Sequence, residues 1–251
     1  MCLSRVAVLR IAAVACCVAS ALTSVSRGFA AAPPVIQPGS RITMGTTGCT
    51  AGWVFAGQRQ LRGQQFIATA RHCVSGLGEA VYLTAGPFPV SFAHGLLIGR
   101  VAYVSKGWDF ALIRIAPTSV RYVVPSMAGH PDIPRGVGGT SSAKFGDICQ
   151  FSGHGLGFDG TPTTEQSRVG VLTDISNDEL YCDGPANEGD SGGPIADLTS
   201  GNEAIGLLDG IDATAGGSSA NVGVHGVTMT VLLRDAAAHR HPVRLRTAAS
   251  S

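Results

Sequence analysis

The chain has 251 residues, with 18 lysines and arginines against 17 aspartates and glutamates, a net charge of +1 with histidine neutral. That balance gives no argument for nucleic-acid binding. Charged residues at only 14% and 34 glycines, with no long helical periodicity, exclude a coiled coil and favour short strands joined by turns.

In chain order, residues 1–32 read as a secretory leader. Arg5 and Arg10 give a positive start, residues 11–25 are mostly apolar, and Ala30-Ala31-Ala32 offers small residues for cleavage before Pro33-Pro34. A membrane-spanning helix needs about 20 apolar residues. This run is shorter and contains Ser20, Thr23 and Ser24, so a cleaved leader and a secreted product are expected. Ala13-Val14-Ala15 before Cys16 is a weak lipidation signal and leaves open a loose association with the cell envelope. Beyond the leader the balance is 15 basic against 17 acidic residues, and four of the seven cysteines remain: Cys49, Cys73, Cys149 and Cys182. An even number in an exported chain suggests disulfides, with three pairings open. No CxxC or HxxxH spacing occurs, so no metal site is expected.

Short apolar runs bounded by Gly, Ser, Asn and Pro predict strands at 52–56, 65–70, 80–84, 99–104 and 110–115 in the first half. Pro117 and residues 129–139 read as the linker. The second half offers strands at 148–152, 168–173, 193–196, 204–208 and 223–230. Residues 231–240 read as a closing helix, with Val231, Leu232 and Leu233 apolar. Arg240, His241, Arg244 and Arg246 follow its end, where positive charge suits the helix dipole. A basic docking tail is the sharper alternative.

The most informative stretch is Gly189-Asp190-Ser191-Gly192-Gly193-Pro194. A serine between glycines is a hydroxyl in a tight turn, because glycine allows conformations and close approaches that a Cβ blocks. The hexapeptide resembles the active-site loop of the trypsin/chymotrypsin-like serine proteases. Upstream, Ala68-Thr69-Ala70-Arg71-His72-Cys73 resembles that family's histidine segment. Asp109, leading into Phe110-Ala111-Leu112-Ile113, resembles its aspartate strand. A carboxylate entering an apolar strand needs a partner, since burying it unpaired costs several kcal/mol. The order His72, Asp109, Ser191 is the chymotrypsin order. The remaining histidines His94, His130, His154, His239 and His241 read as ordinary surface or core residues.

The resemblance, nearest in style to bacterial secreted members of the streptogrisin type, implies an all-β fold of two six-stranded antiparallel barrels with a short C-terminal helix. Residues 33–128 would carry His72 and Asp109. Residues 129–240 would carry Ser191 and the helix, leaving 241–251 as a flexible basic tail. His72, Asp109 and Ser191 would be catalytic, and the amides of Gly189 and Ser191 would form an oxyanion hole. Leu208, Asp209 and Gly210 would lie on the substrate-binding strand. It also implies a Cys49–Cys73 disulfide and, by subtraction, Cys149–Cys182. No cofactor or nucleic acid is implied. The partner is a protein or peptide substrate, and a monomer is expected.

The chain departs from the family in three places. Arg41-Ile42-Thr43-Met44-Gly45 faintly resembles a zymogen cleavage site. Only six residues separate Ile42 from Cys49, too few at about 3.5 Å each for a freed amine to reach Asp190. An internal basic side chain is expected there instead, with Lys144 and Arg168 as candidates. Streptogrisin-type relatives carry long folding pro-segments; this chain, with almost none, is expected to fold unaided. Asp209 stands where relatives usually have serine. It would point to solvent, alter the triad, or attract a basic substrate residue; the first is favoured. The acid at the pocket base that cleavage after Lys or Arg requires falls near Pro185. Asp183 is out of register, so basic specificity is unsupported. His225 reads as a surface or turn residue rather than a pocket wall. The function that follows is a secreted serine endopeptidase, with a non-catalytic binding protein of the same fold and a serine esterase as alternatives.

Overall fold

The alternation of apolar and polar positions becomes two antiparallel β-layers in the computed structural model, described over residues 34–84, 95–130, 132–155, 166–213 and 222–248. Strands β1 (Arg41–Met44) and β2 (Thr47–Thr50) form a tight hairpin. Gly45, at φ +54, takes the first position of its two-residue turn, where a positive φ matches the strand twist. Strands β3 (Val54–Gly57), β4 (Gln65–Thr69), β5 (Ala80–Leu83), β6 (Leu96–Val104) and β7 (Ala111–Ile115) follow. The second half holds β8 (Ile148–Gly153), β9 (Gln166–Ile175), β10 (Glu179–Asp183), β11 (Pro194–Asp197), β12 (Glu203–Ala213) and β13 (Val222–Thr228). Helix α1 (Met229–Ala238) and strand β14 (Val243–Leu245) close the chain.

The second half is a closed six-stranded barrel of order β10-β13-β12-β11-β8-β9. The first half differs from the expected six strands. It is an eight-stranded sheet of order β14-β3-β4-β7-β6-β5-β1-β2. Three of the eight lie outside the five predicted segments, and two of these are the β1–β2 hairpin, where glycines interrupt the strand signal. The third comes from the stretch expected to be a free tail. Val243 and Leu245 alternate with Arg244, pair with Gly57 and Phe55, and are buried. The leader falls outside the described residues.

Two further boundaries shift for local reasons. Helix α1 begins at Met229, where the Thr228 hydroxyl accepts the Val231 N–H at 3.4 Å as an N-cap. Strand β12 runs past the expected 208 to Ala213, so Asp209 lies inside a strand, at a bulge between Leu208 and Gly210.

One apolar cluster joins the two halves. Trp53, Phe55 and Phe66 from the first sheet pack with Leu207, Val227, Met229, Val231 and Leu232 from the barrel and helix. The Trp53 indole N–H donates to the Gly206 carbonyl at 2.8 Å. Each such buried aromatic contributes roughly 1.5–3 kcal/mol of transfer free energy, so the halves meet over an apolar contact with a fixed register. Single clusters fill the remainder of each layer, around Ile42, Ile67 and Ile113 in the first and Phe151, Leu180 and Ile205 in the second.

Candidate active site

Strand β4 ends at Thr69, and a 3₁₀ turn over Arg71–Cys73 carries His72 out of the sheet. Cys73 is buried and joined to Cys49, which ties this turn to the β1–β2 hairpin. The His72 Nδ1 lies 2.6 Å from Asp109 Oδ2, and the His72 backbone N–H donates to Asp109 Oδ1 at 2.9 Å. Asp109 ends the loop between β6 and β7. The Ser105 hydroxyl accepts the Trp108 N–H at 3.1 Å and the Ser105 N–H donates to the Phe110 carbonyl at 3.1 Å, which closes that loop. With Nδ1–H directed at the carboxylate, Nε2 is left as the acceptor.

The pair polarises both members. The hydrogen bond from the ring to Asp109 raises the His72 pKa against the opposing effect of partial burial, with further help from the Asp109 and Asp209 charges. Burial pushes Asp109 upward, but the ring and backbone hydrogen bonds from His72 outweigh it, and its pKa is lowered.

The serine loop is bound on three sides. The Thr50 hydroxyl donates to the Gly189 carbonyl at 2.7 Å, and the Thr50 N–H donates to the Ser191 carbonyl at 2.9 Å. Leu208 accepts the Gly192 N–H at 2.7 Å and donates its own N–H to the Gly193 carbonyl at 2.8 Å. Gly192, at φ +88, has no room for a side chain: a Cβ would lie 2.3 Å from Thr69 Oγ1 and 2.4 Å from the Thr50 carbonyl. Asp190 donates its N–H to Asn187 and Gly193 to Asp190. Among Gly189 to Gly193 this leaves the amides of Gly189 and Ser191 without a hydrogen-bond acceptor among the described residues. These are the two expected to bind an oxyanion. Cys73 Sγ lies 3.9 Å from the Ser191 carbonyl, which sets the loop beside the His72 turn. No hydrogen bond joins the Ser191 hydroxyl to His72.

Of the two basic candidates for Asp190, Arg168 is its partner. Asp190 is fully buried, and its Oδ1 lies 2.5 Å from the Arg168 guanidinium. The Gly155 N–H and the Asn187 N–H complete the cradle at 2.7 and 2.8 Å. Arg168 also reaches the Pro185 carbonyl at 3.3 Å and lies over the Phe151 ring. Lys144 instead caps a turn by donating its N–H to Asp147. The Arg41-Ile42 peptide lies within β1, paired to β2, with Ile42 fully buried.

Two expectations are corrected at Asp209. Its side chain is only 11% exposed and does not point to solvent. Its Oδ1 lies 2.6 Å from His225 Nδ1, an ion-pair distance without hydrogen-bond alignment. His225 is therefore not an isolated turn residue. It sits in β13 opposite both Tyr181 and Gly210. The pairing comes from the register of β12 against β13, which residue spacing along the chain does not reveal. Thr50 was also missed; its one signal is adjacency to Cys49, whose disulfide brings it to the His72 turn.

Both disulfides join the cysteines expected, Cys49 with Cys73 and Cys149 with Cys182. Cys49, Cys73 and His72 lie close together, but sulfurs in a disulfide offer no thiolate to a metal. Asp183 ends β10 in an exposed position opposite Gly223. Cys16 lies outside the described residues.

A two-layer β fold with a histidine–aspartate pair facing a glycine-rich serine loop defines the trypsin/chymotrypsin class of serine proteases. The sequence model of the Trypsin family matches residues 36–229, and the chain belongs to that family. Thermobifida fusca Protease A superposes with a TM-score of 0.61 at 21% identity, covering 85% of this chain and 99% of its own. A Glu endopeptidase superposes at 0.50 and 17% identity over 82% of this chain and 92% of its own. The HtrA-type protease AlgW gives 0.52 at 15% identity, over 81% of this chain and 62% of its own. At these identities the likeness is one of fold. Comparison with curated protein sequences finds no match.

Proposed function

We infer that the protein is a secreted serine endopeptidase. The observation that carries this reading is the hydrogen-bonded His72–Asp109 pair beside a serine loop in which, from Gly189 to Gly193, the amides of Gly189 and Ser191 have no acceptor among the described residues. Ser191 Oγ attacks a peptide carbonyl carbon while His72 Nε2 takes its proton. Asp109 holds the tautomer and stabilises the imidazolium. The developing oxyanion accepts hydrogen bonds from Gly189 and Ser191; one such donor is worth about 3 kcal/mol. His72 then gives the proton to the leaving amine, and water repeats the sequence on the acyl-enzyme. The peptide lies along β12 at Leu208, Asp209 and Gly210. Two disulfides and the apolar leader support an exported chain, and no described helix is long and apolar enough to cross a membrane.

A fluorophosphonate probe tests the nucleophile. The native chain should label covalently and Ser191→Ala should not; equal labelling of both removes Ser191 from the chemistry. A peptide-library cleavage profile set beside small acyl esters separates an endopeptidase from an esterase. Turnover of esters alone would overturn the peptide reading.

A further inference from the structure

The second histidine–aspartate pair stands one residue from the serine loop's anchor. Leu208 is bonded to both Gly192 and Gly193, so Asp209, next along β12, is fixed relative to that loop. Gly192 in turn packs against Thr69 and Ala70, just ahead of His72; a Cβ on it would lie 2.8 Å from the Ala70 nitrogen. Asp209 thus shares a corner with His72, and its near-complete burial limits screening by water. The link to His72 is through the field rather than a bond. The Asp209 charge favours the protonated ring, alongside the stronger effect of Asp109.

His225 faces that charge at 2.6 Å. Its ring lies flat on Gly210, where a Cβ would meet Nε2 at 2.0 Å, and 6.0 Å from the Tyr181 ring. Other titratable groups on the elements packed around the pair are Glu179, Tyr181 and Asp183 on β10, Arg168 and Asp174 on β9, the latter opposite Tyr181, and Glu203 and Asp212 on β12.

Resting on the reading of His72 as general base, we propose that Asp209 and His225 form a positioning pair that sets the proton affinity of His72. Asp209 strengthens the hold of His72 on its proton. A protonated His225 cancels that charge, and a neutral one leaves it acting. As pH falls and His225 gains a proton, the pull of Asp209 weakens, and His72 keeps its basic form to lower pH than it would beside Asp209 alone.

The test follows the His72 Cε1–H resonance by NMR titration of the full chain, together with the acid limb of kcat/KM. Asp209→Asn should move both midpoints to lower pH, and His225→Gln should move both to higher pH. The double variant should follow Asp209→Asn, because His225 acts only through that carboxylate. A His72 midpoint unmoved by Asp209→Asn, or a double variant that follows His225→Gln, overturns the proposal. Should Asp209→Asn fail to fold, His225→Gln decides alone, and a midpoint that stays or falls overturns it. The resonance titrates whether or not the chain hydrolyses peptides. Shifted midpoints in an inactive protein would refute the endopeptidase reading while sustaining this one.

Discussion

Among the described residues, the pairs His72–Asp109 and His225–Asp209 share an Nδ1-to-carboxylate distance of 2.6 Å, shorter than the 3.3 Å of His239–Asp235. In the first, Asp109 also accepts the His72 backbone N–H, so ring and carboxylate are locked in one alignment. In the second, Asp209 and His225 touch at a strand bulge without that alignment, and Asp209 is the more buried carboxylate, at 11% against 33% exposed. The difference is one of alignment at equal distance. Distance alone does not make a general base. In the first pair the bond from the His72 backbone N–H to Asp109 also fixes the carboxylate against the ring.

The largest effect that would break this comparison is at Asp109. Asp109→Asn keeps the shape but presents the wrong partner to the His72 ring, and kcat should fall about 10,000-fold, as expected when the orienting carboxylate of such a triad is lost. His225→Gln should change kcat/KM less than about tenfold at the pH optimum, because its influence on the barrier is electrostatic and indirect. Steady-state kinetics on a peptide substrate reads both. Equal losses would show that the two pairs share one role.

Next is the anchor of the serine loop. Arg168→Ala leaves the fully buried Asp190 without its cation, and breaking such a pair by removing one partner costs about 3–5 kcal/mol. Denaturant unfolding should show that loss. An unchanged midpoint would mean that Gly155 and Asn187 suffice to hold Asp190. A smaller effect is expected at Thr50. Thr50→Val removes the donor to Gly189 and the acceptor of the His154 N–H, at 2.7 and 3.2 Å, costing about 1–2 kcal/mol of stability. The same change should lower kcat more than it alters KM, since the Gly189 carbonyl is one atom along the backbone from the groups that orient the candidate oxyanion amides.

What was legible in the chain divides along the same line as the two pairs. His72, Asp109 and Ser191 lie in short segments whose neighbours carry the signal: glycines around the serine, a cysteine after the histidine, an apolar strand after the aspartate. Five of the second barrel's strands follow from apolar runs between turn residues, and its six-stranded architecture follows from the family resemblance. The β1–β2 hairpin was invisible because each strand is only four residues long and Gly45 and Gly48 interrupt the run, and β1 is held by pairing with β5. Strand β14 was hidden by the arginines around it, although Val243 and Leu245 had the right alternation. Asp209 was read as a departure from pattern, but its partner was not, because His225 reaches it by a register that a bulge shifts by one residue. Arg168 could be narrowed to one of two candidates and no further, since the pairing of β9 through β8 to β11 sets it beside Asp190.

The subtlest expected effect is on pH. His72 has a raised pKa, so the stability it gains from Asp109 is fully present below its unfolded value near 6.5 and is lost as pH rises through the folded value. Asp109 has a lowered pKa, so its contribution is present above its unfolded value and is lost as pH falls through the folded one. The ion pair is therefore complete only between the lowered carboxylate and the raised imidazole. General-base catalysis needs His72 without its proton, which places activity above that window. The acid limb of kcat/KM should accordingly lie above the ordinary imidazole value. The pH of greatest stabilisation by this pair should lie below the pH of greatest activity. Comparing denaturant midpoints with kcat/KM across pH checks this, and Asp109→Asn should flatten the stability difference and move the acid limb of its residual activity to lower pH. A limb at or below the ordinary imidazole value would mean that Asp109 orients the ring without holding its charge.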